Sequence, residues 1–175
     1  MRRRSDMVDI CTFLEQHGIP FEKFDHPAVF TCEEAERLCP PMPGTHTKNL
    51  FLRDRKGARH FLVVVGYDKQ VDLKALTPLL HADKLSFASP ERLQKYLGVE
   101  PGAATLLGLV TDTAHAVEAF IDADIWASDV LLCHPLVNTA TLAIPHAGVE
   151  RFLAATGHEP LILSVPARSA SPTAA

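Results

Sequence analysis

The chain has 175 residues, of which 47% are hydrophobic and 22% charged; this is ordinary globular usage and enough length for one compact domain. The formal net charge of −4 and the sequence pI near 6.1 argue against a wholly basic protein that coats nucleic acid. The sequence contains no run of 18 apolar residues, so no transmembrane helix is predicted.

The cytoplasm is the predicted location. Residues 1–6 include three arginines but no apolar stretch follows them, so the N-terminus does not resemble a secretory signal peptide. The cysteines occur singly, without Cys-x-x-Cys spacing, which in a reducing compartment indicates buried thiols. They are Cys11, Cys32, Cys39 and Cys133.

The N-terminal region predicts two helices. Apolar residues recur at helical spacing over 5–17, and Gly18 ends the pattern. Thr31 followed by Glu34 is a capping-box signature, in which the hydroxyl and the carboxylate each satisfy a free backbone amide of the first turn. A second helix over 31–38 is therefore predicted.

A β-hairpin is predicted next. The apolar runs 50–52 and 61–65 flank residues 54–57, whose composition is typical of a turn. The second run is continuously apolar, which predicts a strand covered on both faces.

Two further helices are predicted in the middle of the chain. The pattern over 72–80 is helical, but Pro78 removes a backbone amide and is expected to shorten or bend the helix. Ser89 as N-cap and Pro90 in the first turn predict a helix that stops at Gly98.

From residue 104 onward the pattern is mostly that of strands, with one helix over 146–156. The predicted strands are 105–111, 116–122, 130–133, 139–144 and 160–165. Residues 1–6 are expected to be flexible, and residues 166–175 are too small and polar to pack, so a disordered tail is predicted. The sequence thus predicts one α+β domain over 7–165, with a mixed, mainly antiparallel sheet flanked by helices.

Three segments place polar side chains where a strand or a helix begins. Residues 47–52 set Lys48 and Asn49 at the start of an apolar, strand-like run. Residues 133–139 contain a His-Pro pair, and residues 25–31 contain another just before a hydroxyl residue that can open a helix. Together these segments predict a site that binds and cleaves a small polar substrate.

Five motifs follow one another along the chain. They are His26-Pro27 with Thr31, residues 47–52 (TKNLFL), residues 85–93 (LSFASPERL), residues 98–102 (GVEPG), and His134-Pro135 with Asn138. In this order they resemble the freestanding prolyl-tRNA editing proteins of the YbaK/ProX superfamily of aminoacyl-tRNA deacylases. This superfamily includes the editing domain inserted in bacterial prolyl-tRNA synthetases. The resemblance spans about 8–165 and implies a YbaK/ProX-like fold.

The resemblance implies hydrolysis of the ester that joins a wrongly attached amino acid, foremost alanine, to the 3′-terminal ribose of a proline tRNA. It makes Lys48 the residue most closely tied to activity and gives Asn49 a part in holding the substrate. Such an ester needs no metal or other cofactor if water is aligned and the developing oxyanion meets preorganised positive charge. Lys48 can supply that charge.

The resemblance also implies a tight pocket for the amino acid. Because attraction yields only about 1–3 kcal/mol per methylene, the pocket is expected to exclude proline by size. The residues expected to bind substrate are Asn49, His134, His26, Thr31, Gly102 and Asn138. His134 has two open roles, either orienting the amino acid or a water as a neutral imidazole, or locking the bend before Pro135. A substrate-assisted route through the ribose 2′-hydroxyl would require no protein base.

Recognition of tRNA is expected to be electrostatic and shape-based, at the acceptor stem and the 3′ end. The candidate contacts are Lys56, Arg59, Lys69, Lys84 and Arg92. A cluster of basic residues near the predicted hairpin turn is equally compatible with a solvated hairpin tip. A prolyl-tRNA synthetase is an additional candidate partner, whereas no membrane partner is expected.

Three alternatives stay open. Relatives commonly carry Gly-x-x-x-Pro where this chain has Gly102 and Leu106; leucine leaves the loop freer, so serine or another small amino acid is an alternative substrate. A zinc enzyme is the second, although the spacing of the candidate ligands fits no tight ligand pair. These candidates fall within 21 residues and are His26, Cys32, Cys39 and His46. The third is a non-catalytic module of the same fold that binds tRNA or a synthetase.

Overall fold

The computed structural model describes residues 9–169, which form one mixed sheet flanked by helices. The strands are β1 (Glu22–Asp25), β2 (Thr45–Arg53), β3 (His60–Gly66), β4 (Ser86–Phe87), β5 (Val117–Asp122), β6 (Val130–Cys133), β7 (Ala140–Pro145) and β8 (Leu161–Leu163). Their order is β1-β7-β6-β2-β3-β5-β8, with β4 paired to β2. Four of the strand pairings are antiparallel and three are parallel, so the predicted α+β fold with a mixed sheet is confirmed.

The helices follow the predicted punctuation closely. They are α1 (Ile10–Gln16), α2 (Cys32–Leu38), α3 (Leu73–Leu79), α4 (Pro90–Leu97), α5 (Ala123–Trp126) and α6 (His146–Thr156). Ser89 caps α4 through the amide of Arg92, and Gly98 ends it in the left-handed conformation at φ 68°. Helix α3 ends one residue after Pro78. Because Pro78 lies in the last turn, its missing backbone amide shortens the helix rather than bending it.

The capping box of α2 forms with one difference. The Thr31 hydroxyl accepts from the amide of Glu34 at 3.1 Å, as predicted. The Glu34 carboxylate accepts from the amide of Phe30 at 2.8 Å, one residue before the N-cap. Both side chains therefore fix the chain on its way into α2.

The prediction of a strand over 105–111 is wrong, because this segment is a 3₁₀ helix, Leu106–Thr111. The Thr105 hydroxyl accepts from the amide of Leu107 at 3.2 Å and starts the helix. Its leucines are buried on all sides, and a Cβ at Gly108 would lie 3.0 Å from the Leu97 Cβ. A segment that is buried on all sides has a continuously apolar sequence whether it is a strand or a helix, so hydrophobic periodicity could not distinguish the two.

Three short elements were not predicted. Strand β1 is largely exposed and polar, β4 has two residues, and α5 is one turn long. Each depends on its neighbours, since β1 pairs with β7 and β4 pairs with the end of β2. Local sequence carries little signal for elements that tertiary pairing creates.

The core lies on both faces of the sheet. Strand β3 sends Leu62 and Val64 into a cluster with α1, α4, the 3₁₀ helix and α6. It sends Phe61, Val63 and Val65 into a second cluster with α3 on the opposite face. The prediction that this strand is covered on both faces is confirmed.

A buried cluster of hydrogen-bonded polar side chains joins three elements at one end of the domain. The Asp112 carboxylate accepts from the amides of Ala116 at 2.9 Å and Val117 at 2.8 Å, and lies 3.0 Å from Nε2 of His158. His158 Nδ1 contacts the Thr156 hydroxyl at 3.0 Å. This polar cluster therefore links the end of the 3₁₀ helix, the start of β5 and the end of α6.

The C-terminal segment is attached further than predicted. The amide of Asp72 donates to Pro166 O at 2.9 Å, and the amide of Arg168 donates to Gln70 O at 2.7 Å. Residues 166–168 therefore belong to the packed domain, whereas 170–175 and the N-terminal residues 1–6 lie outside the described part of the chain. Within 9–169 no helix is long and apolar enough to cross a membrane.

Strand β2 sits at the junction of two halves of the sheet. One of its edges pairs with β3 from Thr47 to Arg53. Its other edge pairs with β6 only at Thr45 and His46, and with β4 only at Leu52 and Arg53. Gly44 allows the close approach of β6, because a Cβ there would lie 2.9 Å from Val130 Cγ1. Between these contacts the second edge of β2 has no strand partner among the described residues.

Candidate active site

A cavity of about 350 Å³ opens where β2 lacks its second partner. Its walls come from the loop before α2, from α2, from the middle of β2 and from the end of β6. The lining residues are Val29, Phe30, Thr31, Ala35, Cys39, Met42, His46, Thr47, Lys48, Asn49, Leu50, Tyr67, Gly102, Ala104, Leu132, Cys133, His134 and Thr141. The three polar segments that the sequence singled out therefore meet at one cavity.

Lys48 and Asn49 are consecutive residues of β2, and both line this cavity. Within residues 9–169 the ammonium group of Lys48 has no hydrogen bond and no ion pair. Asn49 Oδ1 is buried and has no donor in the same part of the chain. A free cation and an unpaired buried acceptor in one cavity are typical of a ligand-binding site, because polar groups in a protein core are normally paired.

His134 forms the wall opposite the strand, supported from behind by His26. The His134 Nδ1 lies 3.2 Å from the carbonyl oxygen of Ala140. His26 lies behind the wall, with Nδ1 2.8 Å from Pro27 O and Nε2 2.8 Å from the Thr141 hydroxyl. Both nitrogens of His26 are thus engaged within the protein, so His26 orients Thr141 rather than reaching the cavity.

Thr31, Gly102 and Asn138 have different places around the opening. Thr31 and Gly102 line the cavity, with the 69% exposed ring of Phe30 between them at the mouth. Gly102 has φ +90°, and a Cβ there would lie 2.8 Å from Phe30 Cδ1. Asn138 does not line the cavity; its Nδ2 donates to Val29 O at 3.1 Å and ties the two His-Pro loops together.

Leu106 does not leave the loop after Gly102 free, contrary to expectation. Its side chain is 1% exposed and packs in the main core cluster. Thr105 fixes the next turn through its hydroxyl. Burial of the leucine thus anchors this loop without the restricted φ of a proline.

The structure adds cavity residues that the sequence did not assign to substrate binding. His46 and Tyr67 line the cavity together, with ring centroids 5.4 Å apart, and the Tyr67 hydroxyl donates to Glu36 at 2.9 Å. The hairpin register was the available signal, because it pairs Thr47 with Gly66 and so places Tyr67 beside His46. Thr141 carried no comparable signal, since its position depends on the pairing of β6 with β7.

The two titrating groups that line the cavity at the end of β6, His134 and Cys133, have shifted pKa values. Burial lowers the pKa of His134 below its ordinary value of 6.5, and the neighbouring His26 adds to this effect. Burial also raises the pKa of the Cys133 thiol to about 12. At neutral pH the imidazole is therefore neutral, and the thiol is protonated and a poor nucleophile.

Stability is expected to fall in acid partly through His134. Because its folded-state pKa is lowered, the unfolded chain binds the proton more readily as pH falls below 6.5, and the free energy of unfolding decreases. One histidine contributes a slope of at most about 1.4 kcal/mol per pH unit. Urea unfolding at pH 7.5 and 5.5 should show a larger loss for the wild type than for His134→Gln. Equal losses in the two proteins would contradict the buried, neutral state.

The basic residues proposed to contact tRNA divide into two groups. Arg59 contacts Glu118 at 2.8 Å, Lys69 lies 2.6 Å from Asp122 Oδ2, and Arg92 Nη1 lies 2.8 Å from His60 Nε2. These three cations already hold parts of the fold together. Lys56 and Lys84 are exposed, and the amide of Arg55 donates to Asp83 at 3.3 Å, which brings their two loops together.

No three His, Cys, Asp or Glu side chains stand close enough together to hold a metal ion in the part of the chain that the structure describes. His26 faces Thr141, as described above, and His46 faces Tyr67. The two histidines named as zinc candidates thus have other contacts.

The fold matches known structures. A solved structure described as that of a candidate trans-editing enzyme for prolyl tRNA synthetase superposes with a TM-score of 0.65 at 19% identity, covering 90% of this chain and 94% of that one. At this identity the match establishes the fold alone. The fold and the cavity together define the class: a single α+β domain with the editing-domain fold and a cavity at the split in the sheet.

Sequence relatives specify the family. The chain is 37% identical over 145 residues to the prolyl-tRNA editing protein ProX of Acetoanaerobium sticklandii, covering 83% of this chain and 88% of the relative. It is 39% identical over 154 residues to prolyl-tRNA synthetase associated domain-containing protein 1 of Danio rerio, covering 87% and 83%. The aminoacyl-tRNA editing domain family matches residues 26–152. The chain belongs to this family, the YbaK/ProX family, and the resemblance drawn from the five motifs is confirmed.

Proposed function

We propose that this chain hydrolyses the ester bond of mischarged proline tRNA, with alanine as the amino acid removed. The observation that carries the proposal is a cavity lined both by Lys48, whose ammonium is unpaired, and by Asn49, whose buried oxygen is unpaired, within residues 9–169. Membership of the aminoacyl-tRNA editing domain family and the name of the ProX relative support the substrate class.

Lys48 acts by charge. Attack of water on the ester carbonyl builds negative charge on its oxygen, and a preorganised cation in a cavity shielded from water stabilises that charge. Lys48 is well suited because no carboxylate within residues 9–169 neutralises it. Asn49 hydrogen-bonds the aminoacylated end and so places the ester against the lysine.

Neither His134 nor Cys133 is required as a base or nucleophile. The Cys133 thiol, whose pKa burial raises to about 12, stays protonated and forms no acyl intermediate. The ribose 2′-hydroxyl of the substrate can assist water directly, and His134 then shapes the pocket. The protein contributes orientation and charge, and the substrate supplies the hydroxyl.

Selection against proline rests on size. The part of the cavity near Gly102 is confined by the ring of Phe30 and by the fixed loop that Leu106 anchors. A methyl side chain fits more readily into such a corner than a pyrrolidine ring, and exclusion can discriminate where attraction yields only about 1–3 kcal/mol per methylene.

Binding of the RNA is proposed to involve the exposed tip formed by Lys56 and Lys84. The tip begins at Arg53, five residues along β2 from Lys48, or about 17 Å at the usual rise of a strand. An acceptor stem whose 3′ end enters the cavity can therefore reach it. Contacts with a partner synthetase are part of the same proposal, since the Danio rerio relative is named for containing a prolyl-tRNA synthetase associated domain.

Replacing Lys56 and Lys84 together by alanine is expected to weaken tRNA binding and to reduce the dependence of log affinity on log salt by about 1.4–1.8. Fluorescence anisotropy titrations at several salt concentrations measure both quantities. Lys74→Ala, which removes an exposed lysine from α3, is the matched control and should leave the slope unchanged. An unchanged slope in the double variant would place the RNA on another surface.

The test of the proposed function is a deacylation assay on alanyl-, seryl- and prolyl-tRNA that share the proline tRNA body. Release of alanine, with prolyl-tRNA spared by at least about 100-fold, is the expected result. Preferential release of serine would identify a different small amino acid as the substrate. Tight binding of all three without hydrolysis would identify a non-catalytic module and refute the proposal.

A further inference from the structure

Two hydrogen-bond acceptors on the cavity wall lack a donor within residues 9–169. Asn49 Oδ1 is buried and unpaired. In His134, Nδ1 lies 3.2 Å from the carbonyl oxygen of Ala140, and because a carbonyl can only accept, Nδ1 carries the ring proton. In the neutral ring Nε2 is therefore an acceptor. A ligand that fills this part of the cavity must bring donors with it.

The two acceptors belong to neighbouring parts of the wall. Side chains two residues apart on a strand share a face, so Asn49 lies on the same face of β2 as Thr47. The Thr47 hydroxyl donates to the carbonyl oxygen of Leu132 at 2.7 Å, two residues before His134. This bond brings the end of β6 against the face of β2 that carries Asn49.

We infer that Asn49 Oδ1 and His134 Nε2 form a subsite for the free α-ammonium group of the aminoacyl ester. The inference rests on the proposed function and deepens it. An ammonium group carries three donors and no acceptor, which matches two acceptors and would be repelled by Lys48. The ester carbonyl has the opposite character, since it only accepts, and it faces the lysine. The two acceptors on the wall thus bind the ammonium end of the acyl group, and Lys48 binds its carbonyl end.

The neutral state of His134 fits this role. Burial lowers its pKa, so the ring keeps its lone pair at neutral pH and adds no positive charge beside the ammonium group. A charged ring would donate from both nitrogens and repel the same group.

The subsite makes a blocked amine a poor fit. An acylated amino group, as in a peptidyl or formylated aminoacyl-tRNA, has lost its charge and two of its three donors. The enzyme therefore acts on free aminoacyl-tRNA and spares esters whose amine is acylated, whatever the side chain.

The test compares two non-hydrolysable forms of proline tRNA ending in 3′-amino-3′-deoxyadenosine, one alanylated and one propionylated through the amide. They differ only in the α-amine. Wild type should bind the alanylated RNA about 10- to 100-fold more tightly by fluorescence anisotropy. In Asn49→Leu the two affinities should come within threefold of each other, whereas Lys74→Ala should keep the wild-type ratio. Equal binding of the two RNAs by wild type would overturn the inference, even in an active deacylase.

A second measurement needs no variant. Wild type should cleave lactyl-tRNA(Pro), in which a hydroxyl replaces the amine, at least about tenfold more slowly than alanyl-tRNA(Pro) after each rate is divided by spontaneous hydrolysis. Equal corrected rates would also overturn the subsite. If the amide analogues differ in affinity but alanyl-tRNA(Pro) is not cleaved, the subsite stands and the proposed deacylase function fails.

Discussion

Lys48→Ala is expected to slow the deacylation of alanyl-tRNA(Pro) by about 100- to 1000-fold, while tRNA affinity stays within severalfold. The size of the effect follows from losing preorganised charge at the developing oxyanion. Lys48 is the one lysine or arginine among the described residues that line the cavity, so no neighbour can replace it. Its ammonium supports no contact of the fold, and the free energy of unfolding should stay within about 0.5 kcal/mol of wild type.

Single-turnover rates with saturating enzyme, together with anisotropy titrations, separate the two effects of Lys48→Ala. Lys74→Ala should retain full activity, and Lys48→Arg should recover part of the rate because it restores charge with a different shape. A loss below threefold in Lys48→Ala would show that the charge is not used in the reaction. A parallel loss of RNA affinity would instead make Lys48 a phosphate contact.

Asp112→Ala is expected to lower the free energy of unfolding by about 3–5 kcal/mol. The substitution leaves the amides of Ala116 and Val117 and the ring of His158 without their acceptor, in a site where Asp112 is only 4% exposed. Urea unfolding followed by circular dichroism measures the change. For a domain of ordinary stability this is a large share of the total.

Two further variants test the origin of this loss. Asp124→Ala removes an exposed carboxylate from the first turn of α5 and should change stability by no more than about 0.5 kcal/mol. Asp112→Asn keeps one acceptor oxygen and should fall between alanine and wild type. A loss below about 1 kcal/mol in Asp112→Ala would mean that water replaces the carboxylate, and that the polar cluster around Asp112 contributes little to the free energy of unfolding.

The sequence was sufficient where local chemistry decides the structure. The Ser89 cap with Gly98 delimited α4, and the turn at 54–57 placed the β2-β3 hairpin. For the site, Lys48 and Asn49 at the start of an apolar run were singled out together with the two His-Pro segments, and residues from all three segments line one cavity.

The sequence was insufficient where tertiary contacts decide. The leucines of 106–109 are buried by their surroundings, and their apolar sequence does not distinguish a helical from an extended backbone. Likewise, His26 and Asn138 occur in motifs that resemble the family pattern, yet their partners, Thr141 and Val29, are distant in sequence. Only the folded chain shows that both residues support the wall from outside the cavity.

Strand β6 pairs with β2 only at Thr45 and His46. Strand β6, which ends just before His134, is joined to the strand that carries Lys48 by this short pairing and by the bond from the Thr47 hydroxyl to Leu132 O, and Gly44 allows the close approach. In the proposed reaction, the shape of the amino-acid pocket therefore depends on two neighbouring backbone pairings. A methyl group at Gly44 would lie 2.9 Å from Val130 Cγ1, so Gly44→Ala is expected to shift β6 away from β2 and to relax the choice between amino acids, although Gly44 does not line the cavity.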